Sequence, residues 1–178
     1  MTVKHGSHES LHAQDVVVGL KLAAMGGAPW TYASLATSLR LSTSQVHTSV
    51  RRLERCDLFS AARKLALGRN FFEFLSHGVR YVFPATVGTL GRGIPTASSA
   101  PPLDALLPAG GELFVWPSRR GEVVGQSVDP LIAGVPEMVG ADAALGELLA
   151  LVDAVRIGKP RERTVAIAEL KKRLVVAE

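Results

Sequence analysis

Residues 31–59, TYASLATSLRLSTSQVHTSVRRLERCDLF, carry two amphipathic helical patterns separated by three residues. Thr31 can cap the first, in which Tyr32, Leu35, Ala36 and Leu39 recur at i, i+3, i+4 and i+7. Ser42 can cap the second, whose apolar face is Val46, Val50 and Leu53, with Leu58 and Phe59 just beyond its end. Upstream, Ala13, Val16, Val17, Leu20 and Ala24 form one stripe, and Met25-Gly26-Gly27-Ala28-Pro29 ends it. Three helices in fewer than fifty residues, with so short a break between the last two, predict a helix-turn-helix unit.

With Val46, Val50 and Leu53 turned inward, the opposite stripe of the third helix is Ser44, Thr48, Arg51 and Arg55, flanked by His47 and Arg52, with Gln45 nearer the other edge. Small hydroxyls permit close approach to a major groove, and arginine reads guanine or binds phosphate. The start of such a helix reaches base edges, so Ser44, Gln45 and Thr48 are the expected readers, beside Ser42 and His47. Arg51, Arg52 and Arg55 are expected on phosphates. A solvated helix face is the plainer alternative for any one of these residues.

The same stretch resembles the core of bacterial winged-helix transcription regulators of the MarR-like and ArsR-like groups. The likeness rests on Leu35-Ala36, the turn before Ser42, Val46 and Leu53 on the third helix, and the pair Leu58-Phe59. Arg40 and Asp57 stand where that pattern usually has glycine. The resemblance implies a DNA-binding fold with a basic wing. Arg63 and Lys64 lie where the wing follows the third helix, although ARKLALGRN is poor strand sequence. A second wing candidate is a hairpin over 113–128, with Arg119 and Arg120 at its tip. Arginines there suit a narrow minor groove or plain solvent equally.

Asn70 can cap a short helix ending near Gly78, and Val79–Phe83 reads as a strand. Residues 85–112 contain 5 Gly and 4 Pro and read as a long loop or linker. Asp142 can cap a helix, Gly158 ends it, and Pro160 opens a last helix to about Val176. The expected fold is mainly α with a small β component: a winged-helix-like helix-turn-helix domain plus a C-terminal β-hairpin and two-helix extension. The expected division is a flexible tail over residues 1–10, the DNA-binding domain over 11–78 and a regulatory or dimerisation region over 79–178.

Charge follows the same division. Residues 1–80 hold 10 Lys/Arg against 5 Asp/Glu, 81–155 hold 3 against 8, and 156–178 hold 7 against 3. Basic ends around an acidic middle suit a polyanion at one part of the molecule. Arg156, Lys159, Arg161 and Arg163 are a second basic cluster. Leu145, Leu148, Val152, Val155, Ile167, Leu170 and Leu174 are candidate dimer contacts, or else pack on their own domain.

Chemistry is sparse. His8-Glu9-Ser10-Leu11-His12 matches the zinc-protease spacing HExxH, but at the N-terminal edge and without a third ligand. Gly88-x-x-Gly91-x-Gly93 lacks the Lys-Ser/Thr of a phosphate loop. His77 suits a helix end. The single cysteine, Cys56, makes no internal disulfide and reads as a small core residue. No catalytic residue, metal or cofactor is expected. No run approaches the ~18 apolar residues of a membrane span, so the expected setting is cytoplasmic, without membrane contact. The leading expectation is a homodimeric regulator that binds double-stranded DNA and answers to a small-molecule effector or a protein partner. Two rivals stand beside it: a protein-interaction or antitoxin-like module with DNA binding secondary, and a sensor or enzyme built around VRYVF and FVW.

Overall fold

The computed structural model describes residues 10–108 and 110–175. Most of the expected tail and the His8-Glu9 half of the HExxH match lie outside them. The described chain is mainly helical with a small β part.

Helices α1 (Ala13–Ala24), α2 (Tyr32–Leu39) and α3 (Thr43–Arg55) come first. Val16, Val17, Val18, Leu20 and Leu22 of α1 are all buried, because α3 and the later helix α8 (Ala143–Ile157) pack on different sides of it. Gly19 has no room for a side chain: a Cβ there would lie 2.8 Å from the Phe71 ring. After α1 the chain turns through Gly26 and Gly27, both at positive φ. Helix α2 starts on the Thr31 hydroxyl, which accepts from the Ser34 N–H at 3.0 Å. It ends at Arg40 in the left-handed conformation (φ 52°). Asp57, after α3, has φ 53°. The two places where glycine was the expected residue thus adopt the backbone that favours glycine.

Leu58 and Phe59 close the core beneath α3, and a two-strand hairpin follows: β1 (Phe59–Ser60) against β2 (Leu65–Ala66), antiparallel. Helix α4 (Gly68–His77) begins at Gly68 with no side-chain cap, and Asn70 lies inside it, its side-chain amide donating to the Asp57 carbonyl. Val79–Val82 is not a strand. It is the short helix α5, which continues from α4 through Gly78, and its Val82 N–H donates to the Gly78 carbonyl. Local hydrogen bonding and burial of Val79 override the β preference of VRYVF.

The 85–112 segment is ordered differently from expectation as well. It contains a nine-residue strand, β3 (Val87–Pro95), a 3-10 turn over Ala97–Ser99 and helix α6 (Leu103–Leu106). Strand β4 (Phe114–Pro117) pairs antiparallel with the C-terminal part of β3, and β5 (Val123–Val128) with its N-terminal part. β4 and β5 run parallel to each other where they touch, which closes a three-stranded barrel. Residues 113–128 are therefore not a hairpin. Both strands find their antiparallel partner in β3, and the segment between them carries the chain along it.

Glycine makes so small a barrel possible. A Cβ on Gly93 would lie 2.1 Å from the Trp116 carbonyl oxygen, and one on Gly125 would lie 2.6 Å from that of Leu113. Helix α7 (Val135–Val139) packs beside the strands, and α8 and α9 (Pro160–Leu174) complete the fold.

A buried polar network fastens the barrel to α8. Asp153 accepts from Trp116 Nε1 at 2.6 Å, Thr96 Oγ1 at 2.9 Å and Arg156 Nη1 at 2.6 Å. Arg156 also donates to the carbonyls of Phe83, Pro84 and Asp129. Its charge is thus consumed inside the fold, so it does not join the surface cluster expected around 156–163. The expected dimer contacts turn inward too. Leu145, Leu148, Val152, Val155, Leu170 and Leu174 are buried and Ile167 packs against the same core, where α8 meets α1, α9 and the 3-10 turn.

Candidate nucleic-acid interface

The first turn of α3 is held by reciprocal hydrogen bonds. Ser42 Oγ accepts from the Gln45 N–H at 3.1 Å, and Gln45 Oε1 accepts from the Ser42 N–H at 2.8 Å. The Gln45 side-chain amide leans toward Gln14 Oε1, 3.5 Å away, while Gln14 Nε2 donates to Ser49 Oγ at 3.1 Å. Ser42 and Gln45 are exposed, but their polar groups are already engaged in starting the helix. Ser44, His47, Arg51 and Arg55 are exposed and Thr48 is half-buried, while Val46, Val50 and Leu53 lie in the core. Thr48 Oγ1 donates back to the Ser44 carbonyl at 3.0 Å. His47 stacks on Tyr32, with ring centroids 3.5 Å apart and an interplanar angle of 15°.

Arg52 does not join that face. It is 7% exposed and grips Asp15 with two bonds, Nε to Oδ2 at 2.7 Å and Nη2 to Oδ1 at 2.8 Å. Asp15 is fully buried and also accepts from the His12 N–H at 2.8 Å, in the first turn of α1. The pair therefore bolts the start of α1 to the middle of α3. The expected phosphate role for Arg52 gives way to this structural one. Gln14, Ser44, Gln45 and Thr48 line a polar cleft of about 250 Å³ above it.

Arg63 and Lys64 sit in the β1–β2 turn that follows α3, and both are exposed. Trp30 Nε1 donates to the Lys64 carbonyl at 2.9 Å, which ties the turn to the entrance of α2. Trp30 meets Tyr32 edge-on at 5.2 Å and Phe59 at 6.2 Å. A cleft of about 290 Å³ opens between this aromatic group and the turn. Arg119 and Arg120 lie elsewhere, on the segment between β4 and β5, whose strands pack on β3, the 3-10 turn and α7. They are not brought together with α3.

Sequence reasoning missed Gln14, Asp15, Trp30 and Tyr32. One signal was available: an acid inside the apolar run of α1 demands a cation, and Arg52 lies toward the buried side of α3. Cys56, expected in the core, ends α3 and is exposed. Among the described residues no helix is long and apolar enough to cross a membrane. No protein-family model matches the chain, and neither a curated protein nor a solved structure matches it.

Proposed function

We propose that this chain is a sequence-specific DNA-binding regulator with a winged-helix-like N-terminal part. Helix α3 enters the major groove and the β1–β2 turn acts as a short wing. The observation that carries this reading is the outward row of exposed Ser44, His47 and Arg51 with half-buried Thr48, on a helix braced from beneath by Arg52–Asp15, beside a turn carrying Arg63 and Lys64. Hydroxyls and imidazole approach base edges, and the arginines and lysine neutralise phosphates on either side. Ser42 and Gln45 act first by setting the pitch and start of α3.

Selection from a random duplex library by the full chain tests this reading. Enrichment of one motif, lost in Ser44→Ala/Thr48→Ala while the fold persists, is the expected result. Binding without enrichment reduces the reading to a basic surface, and no binding removes it. A second reading, in which the chain docks on a partner protein, is favoured by a particular exposed face of the barrel.

A further inference from the structure

Where β3 and β5 pair between Leu90 and Gly93, one face of the two strands is turned to solvent. Arg92 pairs with Val124 and Leu90 with Gln126, so these four side chains share a face. The neighbouring Gly93 and Gly125 turn the other way, against the backbone of Trp116 and Leu113. On the outer face Leu90 is 73% exposed and Val124 is 56% exposed, and the two are diagonal neighbours. Together they make a small apolar centre on an otherwise polar face.

Charge gathers at the same place. Residues 81–155 contain three cations, Arg92, Arg119 and Arg120, against eight carboxylates. Arg92 stands on the exposed face itself. The Ser118 N–H donates to the Arg92 carbonyl at 3.2 Å, so the Arg119-Arg120 segment is hung from the same point of β3. Among the described residues none of the three is in an ion pair. Two acids lie close by: Glu112, which pairs with Lys159 at 3.5 Å and accepts from the Gln126 side-chain amide at 3.5 Å, and the exposed Glu122 between Arg120 and Val124, so the three arginines outnumber the carboxylates beside them.

We propose that this face docks an acidic, amphipathic segment of another protein. Its apolar side chains cover Leu90 and Val124, while its carboxylates meet Arg92, Arg119 and Arg120. A duplex offers phosphates to the arginines but only scattered apolar surface, chiefly thymine methyl groups, to the aliphatic pair. A protein segment supplies both, and arginine beside an apolar centre is the composition protein interfaces favour. The proposal goes beyond the DNA reading and does not depend on it.

The test uses the full chain and a displayed library of random 12-residue peptides. Peptides combining Asp or Glu with aliphatic or aromatic residues are expected to enrich. A synthesised winner is expected to lose at least tenfold in affinity against Arg119→Glu/Arg120→Glu, and again against Leu90→Ser/Val124→Ser. The second variant changes only exposed side chains, so its thermal unfolding is expected to match the parent. Failure to enrich, enrichment of basic or neutral peptides, or equal binding by both variants would overturn the proposal. So would a loss of duplex binding in Arg119→Glu/Arg120→Glu as large as in Arg51→Ala, which would give the arginines to DNA. Self-association abolished by Leu90→Ser would give the face to a second copy of this chain.

Discussion

Arg51 and Arg52 are adjacent in sequence and opposite in consequence. Arg51 is exposed on the outer side of α3, whereas Arg52 is buried on Asp15 with two hydrogen bonds. Removing one member of a buried pair strands the other charge, at a cost of about 3–5 kcal/mol. Arg52→Ala is therefore expected to lower unfolding free energy by that amount in urea titration, while Arg51→Ala stays within about 0.5 kcal/mol of the parent. Equal stabilities would deny the buried pair its role. The helical wheel placed Arg52 only on the flank of the outward stripe, and flank positions are decided by the neighbouring helix. Asp15 supplies that decision from 37 residues away. By contrast Ser42, Thr31 and Asp142 were legible as caps, because capping is a local transaction between a side chain and the next three residues.

At the scale of elements, the helices with a clean apolar stripe and caps were legible, and the barrel was not. Strand β3 reads VGTLGRGIP, rich in residues that usually interrupt strands. Its glycines serve contacts between backbones that only the folded barrel reveals. Gly93 and Gly91 make the distinction measurable. A Cβ on Gly93 meets the Trp116 carbonyl oxygen at 2.1 Å, and one on Gly91 meets nothing within 4 Å. Gly93→Ala is expected to destabilise by about 2 kcal/mol or more, with the β4 pairing lost first, whereas Gly91→Ala stays near neutral. Amide exchange of the Trp116 region would locate the damage, and a tolerant Gly93→Ala would contradict the tight closure. The short β1–β2 hairpin was obscured for a related reason. Two-residue strands carry no periodicity, and this turn is held by Trp30, more than thirty residues earlier in sequence.

Across the whole molecule, one hydrophobic cluster runs from α1 and α3 through α8 to α9 and the barrel. The apolar faces of α8 and α9 were visible in the sequence, but their target was not. An apolar stripe fits a partner chain and an intramolecular neighbour equally well, and here α1, α4, α5 and the 3-10 turn occupy it. A shared core predicts joint unfolding. The two tryptophans report on the two ends, Trp30 beside the first hairpin and Trp116 in the barrel. In Trp30→Phe and Trp116→Phe, fluorescence and far-ultraviolet dichroism are expected to give coincident urea transitions. Separate transitions would divide the chain into independent units.

The central claim is that the outer side of α3 meets DNA, and the salt dependence of binding tests it most directly. Each phosphate contact contributes about 0.9 to the slope of log affinity against log salt. Fluorescence anisotropy of the full chain on a selected duplex, from low to moderate salt, is expected to give a steep slope. Arg51→Ala is expected to lower it by about one phosphate contact with the unfolding transition unchanged. An unaltered affinity and slope in folded Arg51→Ala would contradict the account and take α3 out of the interface.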